Sequence, residues 1–311
     1  MNVCHDISLF HSRNSVATIG IFDGVHVGHQ LILKRLKELA STYGSETVVI
    51  TLWPHPRLVL NPDNAELRLL TTLDEKIRII RSHGVDHLLV IPFTTAFAQT
   101  TYEEFIRFYL VERVKAHHVV VGYNHHFGKD RQGTFESLLQ SSSRYGFSAE
   151  RMNPVVINNS DVSSSVIRRN ISLGNMVFSN EALGYKYFIQ GEVVAGNRMG
   201  RKLGYPTANL AVNDAKKLIP RNGVYAVDVE FEGRLLKGMA NIGVRPTIES
   251  QAHEQTMEVH IFNFAESIYG KSITVFFKDR IRNEIKFASV NNLIKQLDED
   301  KKMIMERFKD E

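Results

Sequence analysis

The sequence predicts an α/β domain with a parallel sheet, followed by a mainly β antiparallel barrel domain that ends in a closing helix. Residues 1–184 alternate apolar strand-like runs with amphipathic helical stretches, which is typical of a parallel sheet covered by helices on both faces. After residue 185, strand-like stretches follow one another and are separated by Gly, Pro and Asn turns. We therefore expect two domains, 1–184 and 185–311.

Each element follows from its hydrophobic pattern. The apolar run from Ser15 to Phe22 predicts a short buried strand, and the apolar spacing after His29 predicts an amphipathic helix. By the same criteria we expect further strands over 46–53, 86–91, 117–122 and 147–156, and helices over 29–43, 73–83, 102–114, 132–145, 164–173 and 175–183. In the second domain we expect strands over 187–195, 223–231, 234–241, 256–264 and 271–278, and a charged helix over 289–308.

The bulk composition excludes several classes of protein. The net charge is only +4 and there is no long Lys/Arg run, which argues against a dedicated nucleic-acid or membrane binder and suits small phosphorylated substrates. The single cysteine, Cys4, excludes an intrachain disulfide and fits a reducing compartment. The longest apolar run, Leu88 to Phe93, is too short to span a bilayer, and we see no signal peptide. We therefore expect a cytoplasmic protein; its oligomeric state is left open.

The segment between the first predicted strand and helix predicts an anion site. Free N–H groups and the helix dipole favour negative charge at a helix N-terminus, and Gly28, between His26 and His29, lets a phosphate approach the backbone. The segment is neither a P-loop nor a dinucleotide fingerprint. A lone His-x-x-His pair is often without function, but here strand, turn and helix all lie where a phosphate site needs them. The candidate phosphate-binding residues are Gly20, Phe22, Asp23, Gly24 and Gly28.

A cluster of serines before a predicted helix is the second candidate phosphate site. Capping of the helix would explain one serine but not three serines and an arginine. Hydroxyls, helix N–H groups and a guanidinium together would suit a triphosphate. The residues are Ser163, Ser164, Ser165 and Arg168.

The turn Gly122–Gly128, which contains Asn124, is a third candidate. By itself it is a weak signal, because polar turns commonly follow buried strands.

In the second half, the segment 196–209 combines glycines, basic residues and a Pro-Thr-x-Asn step. If 207–209 is extended, Thr207 and Asn209 lie on one face, where two neutral oxygens can hold Mg²⁺ whose other ligands are water and nucleotide phosphates. The glycines would let the loop fold over those phosphates. The candidate phosphate-binding residues here are Gly196, Gly200 and Arg201.

The predicted strand around Glu258 carries polar side chains that alternate with apolar ones. Barrel strands commonly point such residues to water, so Glu258 taken alone is more simply a solvated strand residue.

Together, these segments resemble the prokaryotic bifunctional riboflavin kinase/FMN adenylyltransferase family, also called FAD synthetases. The resemblance covers nearly the whole chain, with the motifs in the family's order. Besides the segments above, it rests on Pro54–Pro56, Leu70–Lys76, Asn222–Ala226, Asn241–Thr247, Glu258–Phe262 and Tyr269–Lys271.

The resemblance implies two activities with ATP and Mg²⁺. A Rossmann-like nucleotidyltransferase domain would transfer AMP from ATP to FMN, giving FAD and pyrophosphate, and a riboflavin kinase domain would transfer the γ-phosphoryl group of ATP to riboflavin, giving FMN. It also implies roles in flavin binding for Asn124, Tyr205 and Pro206. The alternatives are a monofunctional enzyme on the same scaffold and a non-catalytic flavin-binding regulator.

The two chemistries differ in their need for a base. The FMN phosphate is largely ionised at neutral pH, so it needs orientation and charge stabilisation, which His26 and His29 would supply as catalytic residues. A ribityl hydroxyl is a poor nucleophile while protonated, so the resemblance makes Glu258 the expected catalytic base.

The chain departs from the family pattern at three places, all in the first half. His125 and His126 stand where an aromatic and often a basic residue are common. Ser165 replaces a threonine, and Asp161 stands where a basic residue often precedes the serines. The effect of these departures on the first activity is left open.

Overall fold

The structure of the protein is a computed structural model that describes residues 1–62, 66–196, 200, 203–246 and 253–308. The chain forms two compact units, Met1–Val166 and Ile167–Glu311, which we call unit 1 and unit 2. The division lies inside a helix, 18 residues before the domain boundary at 184. That boundary stays a prediction.

Unit 1 contains a six-stranded parallel sheet in the order β1-β4-β3-β2-β5-β6, so the α/β prediction is confirmed. Its strands are β1 (Asn2–Cys4), β2 (Ser15–Gly20), β3 (Glu46–Trp53), β4 (His87–Pro92), β5 (Ala116–Val121) and β6 (Ser148–Arg151). Its helices are α1 (Val27–Tyr43), α2 (Pro56–Leu60), α3 (Leu73–Ser82), α4 (Tyr102–Glu104), which continues as a π-helix over Phe105–Arg113, and α5 (Phe135–Tyr145).

The strand order of unit 1 locates a crevice. From β2 the chain builds outwards through β3 and β4 on one side, and later through β5 and β6 on the other. The turns after β2 and β5 therefore leave the sheet at a topological switch point, where open α/β sheets bind ligands beyond the carboxyl ends of their strands.

Most predicted elements of unit 1 are found within a few residues of their expected ends. The predicted strand over 147–156 is wrong in its second part, because the chain leaves the sheet at Arg151 and then forms a separate hairpin of β7 (Val156–Ile157) and β8 (Ser160–Asp161). Pro154, which has no N–H for a ladder, lies in that break. The predicted helix over 102–114 is α-helical only in its first turn.

Unit 2 is built around a closed antiparallel barrel, as predicted, with six strands in the order β10-β13-β12-β11-β14-β9. Strand β10 was not among the five predicted strands. Helix α6 (Ser164–Leu173), which crosses the division, and α7 (Met176–Leu183) precede the barrel. Its strands are β9 (Phe188–Val194), β10 (Ala208–Ala211), β11 (Gly223–Phe231), β12 (Arg234–Pro246), β13 (His253–Ile261) and β14 (Ser272–Arg282), and the closing helix is α8 (Val290–Arg307).

Helix α8 is attached to the barrel by its apolar face and by polar contacts, among them those of Asp298, Asp300 and Arg307, which pairs with Asp279. Asp300 is fully buried and accepts hydrogen bonds from the Arg282 guanidinium, with Nη2 to Oδ2 at 2.6 Å and Nε to Oδ1 at 2.9 Å. The Tyr205 hydroxyl donates to Asp298. Loss of one partner of a buried ion pair strongly destabilises the folded protein, because the other charge is left buried and unpaired. The Arg282–Asp300 pair therefore fixes the position of the helix.

None of the helices in the described part of the chain combines the length and the apolar character needed to cross a membrane.

Candidate active sites

The turn between β2 and α1 has an unusual backbone. Phe22 and Val25 have φ values of 52° and 37°, and Gly24 has a φ of 80°. A left-handed conformation at a residue with a side chain costs about 1–3 kcal/mol and persists only where the surroundings hold it. Such strain is typical of ligand-binding turns.

The buried Asp23 carboxylate holds this turn from inside. It accepts hydrogen bonds from the backbone N–H groups of Leu70 and Thr71, at 3.0 and 3.1 Å, and the Thr71 hydroxyl accepts one from the N–H of Gly24 at 3.2 Å. Asp23 therefore lies in the wall that shapes the site. Its predicted contact with phosphate stays a prediction.

The two histidines of the turn lie together at the start of α1. Their rings are stacked, with centroids 3.7 Å apart, and the Phe22 ring lies 5.0 Å from that of His29. His26 is the N-cap of α1, but its side chain makes no capping hydrogen bond, so the orphan N–H groups of the first turn point towards the site. Gly28 lies against the His26 ring.

Both imidazoles are neutral at physiological pH. Burial lowers the pKa of His26 to about 4, against an opposing effect of Asp23. Burial also lowers the pKa of His29 well below its ordinary value, and His26 and Lys76 lower it further. A neutral imidazole carries one N–H, so each ring can donate a hydrogen bond to a phosphate oxygen without a change of protonation.

The predicted serine cluster reaches the same turn. The Ser164 hydroxyl donates to the backbone carbonyl of Asp23 at 2.9 Å, and the Ser163 hydroxyl accepts a hydrogen bond from the N–H of Val166 at 3.4 Å, as a cap would. Ser165 is exposed. Arg168 lies on α6 past the division between the units, and its phosphate contact stays a prediction.

Asn124 lies in the exposed turn after β5, on the other side of the switch point. Its neighbour His125 stacks on Phe127, with centroids 5.6 Å apart, and burial lowers its pKa to about 4. The His125 ring thus packs as the aromatic residue that is common at this position in the family would.

In unit 2 the barrel brings the predicted kinase residues together. Asn209 on β10 and Asn241 on β12 stand opposite Glu258 on β13, so the three side chains form a row across neighbouring strands. The Thr207 hydroxyl donates to Glu258 Oε2 at 3.1 Å. Asn241 entered the sequence analysis only as part of a family motif and had no site role there, because only the barrel register places it beside Glu258.

A cavity of about 330 Å³ opens in front of this row. We call it the acceptor cavity. Its polar lining comes from Thr207, Asn209, Asn241, Glu258, His260, Arg282 and Glu284, and the rest of the lining is largely apolar. The apolar lining comes from Leu203, Val224, Met239, Ala240, Ile285, Phe287, Leu293 and Leu297.

A second cleft, of about 310 Å³, is lined by Pro206, Ala208, Val259 and the segment Phe264–Tyr269. Thr207 lines both spaces, but the neighbouring strand residues divide between them. Asn209 and Glu258 line the acceptor cavity, whereas Ala208 and Val259 line the second cleft on the opposite face of the same strands. Tyr205 lines the acceptor cavity and Pro206 lines the second cleft, and their predicted flavin contacts stay predictions.

The predicted glycines touch the Thr207–Asn209 step directly. Any side chain at Gly196 would overlap the Asn209 amide, and one at Gly200 would overlap the carbonyl of Tyr205 and approach the Thr207 hydroxyl. Arg201, predicted to bind phosphate, lies outside the described residues.

His260 forms a hydrogen bond with the backbone of Pro206, next to Thr207. The Pro206 carbonyl can only accept, so the His260 Nδ1 at 2.8 Å donates to it. Burial lowers the pKa of His260 and keeps the ring neutral.

Comparison with known proteins divides the chain in the same order. A family model described as FAD synthetase matches residues 10–166, and one described as riboflavin kinase matches residues 183–308. The bifunctional riboflavin kinase/FMN adenylyltransferase of Bacillus subtilis is 34% identical over 98% of this chain and 96% of its own length. That of Escherichia coli K12 is 35% identical with the same coverage.

A solved structure has the same fold over its full length. The crystal structure described as a macrolide-efflux protein from Streptococcus pneumoniae matches with a TM-score of 0.90 and 32% identity, over 97% of this chain and 98% of the other.

Proposed function

Because the chain belongs to the family of bifunctional riboflavin kinase/FMN adenylyltransferases, we propose that its two units perform the two reactions. Unit 2 phosphorylates riboflavin to FMN, and unit 1 joins FMN to the AMP part of ATP to give FAD. The substrates are therefore small molecules: riboflavin, FMN and ATP.

The single observation that carries the kinase assignment is the position of Glu258 in the acceptor cavity. A carboxylate that accepts a hydrogen bond from Thr207, beside a largely apolar space, faces both the hydroxyl and the ring of a flavin. The ribityl hydroxyl oxygen attacks the γ-phosphorus of ATP, the bond to the β-phosphate oxygen breaks, and ADP leaves. Glu258 takes the hydroxyl proton.

The acceptor cavity suits a flavin. The acceptor cavity has the apolar walls that an isoalloxazine ring needs, and Tyr205 adds an aromatic surface. The γ-phosphate of the nucleotide must reach the same cavity, because Glu258, Thr207 and Asn209 line it.

The residues around Thr207 fit Mg²⁺. Its hydroxyl oxygen and the Asn209 amide oxygen are hard neutral ligands. Because Gly196 and Gly200 have no side chain, the backbone at these positions lies close to both groups. When bound, the metal ion neutralises charge on the transferring phosphates. Thr207 and Asn209 would hold the metal ion, and Glu258, which accepts a hydrogen bond from Thr207, would take the proton of the riboflavin hydroxyl.

Unit 1 has the features that adenylyl transfer requires. An oxygen of the ionised FMN phosphate attacks the α-phosphorus of ATP, the bond to the β-phosphate breaks, and pyrophosphate leaves, so no side chain needs to take a proton. The neutral rings of His26 and His29 donate hydrogen bonds to the phosphate oxygens, together with the N-terminus of α1. Asn124, across the switch point, would contact the flavin.

The monofunctional and regulatory alternatives have no support, because the chain matches both family models. The test is a time course with riboflavin, ATP and Mg²⁺ in which riboflavin, FMN and FAD are separated by chromatography. We expect FMN to appear first and FAD to follow. Absence of FMN would overturn the kinase assignment, and failure to convert supplied FMN would overturn the adenylyltransferase assignment.

A further inference from the structure

A buried lysine lies beneath the strained turn of unit 1. Lys76, on α3, is 1% exposed, and its Nζ donates to the backbone carbonyl of Ile21 at 2.7 Å. The hydroxyl of Thr51, at the end of β3, donates to the same carbonyl at 3.1 Å. Both lone pairs of this carbonyl are therefore used, and its residue directly precedes the strained Phe22.

The segment 70–76 thus holds the turn at two points. At one end, the N–H groups of Leu70 and Thr71 bind the Asp23 carboxylate. At the other end, Lys76 binds the Ile21 carbonyl. Phe22, with its φ of 52°, lies between the two points, so its conformation is set by both.

Burying the Lys76 ammonium group is unfavourable, because the charge loses its hydration. Its presence here therefore indicates a specific role. Lys76 lies on the same face of α3 as the buried Ile79 and Ile80, where a methionine would fill a similar volume without a charge. Its other near contacts are with uncharged groups: the Thr51 hydroxyl at 3.4 Å and the Trp53 ring, whose centroid is 5.1 Å away. Burial lowers the Lys76 pKa to about 8.

Two titratable groups interact with this ammonium. The Asp23 carboxylate favours its charged form, and the His29 imidazole, on α1, has its own pKa lowered by the Lys76 charge. Lys76 therefore acts on the catalytic histidines in two ways: it holds the turn that carries them, and its charge adds to the effect of burial and His26 in lowering the His29 pKa.

We infer that Lys76 is a positioning residue for adenylyl transfer, which fixes the strained turn through the Ile21 carbonyl and so places His26 and His29 against the phosphates. The inference rests on the proposed adenylyl transfer in unit 1. Substrate contacts remain with the histidines, because Lys76 is closed off from solvent.

The test compares Lys76→Met with Lys34→Met, which removes the same charge from an exposed position on α1. FAD formation from supplied FMN is measured first in the wild type, so that a failure of the proposed function is recognised separately. We expect Lys76→Met to lower kcat by about 10- to 100-fold, the effect of misplacing catalytic groups. The KM for ATP should change less than about threefold, since the misplaced groups act mainly in the transition state. Lys34→Met should keep the wild-type kcat.

Two further measurements separate positioning from a merely structural role. In Lys76→Met the pKa of His29, followed by NMR of the ring, should rise, because the cation that lowers it is gone. Thr51→Val removes the second bond to Ile21 and the long 3.4 Å contact with Lys76 Nζ, and it keeps the cation. The kcat should therefore fall about 3- to 10-fold, the loss of one modest hydrogen bond, while the His29 pKa stays unchanged.

If Lys76→Met is unfolded, Thr51→Val decides alone: a reduced kcat in a folded protein supports the inference, and a wild-type kcat overturns it. A wild-type kcat in folded Lys76→Met overturns it as well, as does a loss that equals the fall in the folded fraction.

Discussion

Replacement of His125 by phenylalanine should remove part of the acid sensitivity of unit 1. In the folded protein this ring stacks on Phe127, and among the described residues its shielded Nε2 has no hydrogen-bond partner. Burial lowers its pKa from 6.5 to about 4, and His126 and Arg131 add smaller effects in the same direction. Phenylalanine keeps the aromatic contact and cannot take a proton.

The sign follows from the two protonation states. Below pH 6.5 the unfolded chain binds a proton at this histidine, whereas the folded chain resists protonation until about pH 4. The unfolded state therefore binds more protons in this window, and the free energy of unfolding falls as the pH falls. With these pKa values the loss from His125 alone is about 2 kcal/mol between about pH 7 and pH 5.

The assay is urea unfolding of the full chain at both pH values. Trp53, the one tryptophan, lies in unit 1, so its fluorescence follows the unfolding of that unit. His125→Phe should lose about 2 kcal/mol less than the wild type on acidification. His11→Asn, at an exposed position, is the control and should behave as the wild type. An equal loss in His125→Phe and the wild type would refute the reasoning.

The remaining predictions concern the two reactions. Glu258→Gln should lower the kcat of riboflavin phosphorylation about 100-fold or more, measured by FMN formation, because the hydroxyl loses its base; an unchanged kcat would make Glu258 a solvated strand residue. Thr207→Ala and Asn209→Ala should each weaken Mg²⁺-dependent nucleotide binding to unit 2, measured by calorimetry, and unaltered Mg²⁺ dependence in both would contradict the metal assignment. His29→Ala should slow FAD formation from FMN about 100- to 1,000-fold, the effect of losing one preorganised donor, with little change in FMN formation. Wild-type FAD formation in that variant would argue against the phosphate-binding turn.

Local pattern was sufficient to predict much of the fold. Strand β3 and helix α6 have the predicted ends, because a buried apolar run and an amphipathic repeat are each determined within their own segment. Strand β1 was missed, because its three residues have no distinct period and it is a strand only through pairing with β4. Strand β12 continues to Pro246, past the predicted end at 241, because its partner β13 extends the ladder.

The sequence was sufficient to predict which residues of a segment share a face, but not which residues of distant segments lie beside them. The spacing of Thr207 and Asn209 placed both on one face, and the structure brings them to one cavity. The neighbours of Glu258 could not be predicted, because barrel closure brings Asn209 and Asn241 to it from distant positions. Lys76 did leave a signal, since it lies on the apolar face of its predicted helix.

A complementation experiment tests most directly the claim that the two activities reside in separate sites. Glu258→Gln and His29→Ala are assayed with riboflavin, ATP and Mg²⁺, each alone and then mixed. Alone, Glu258→Gln should form almost no FMN, and His29→Ala should accumulate FMN with almost no FAD. The mixture should form FAD, because FMN released by one variant is a substrate for the other. If either variant loses both activities while folded, or the mixture forms no FAD, two independent sites are contradicted.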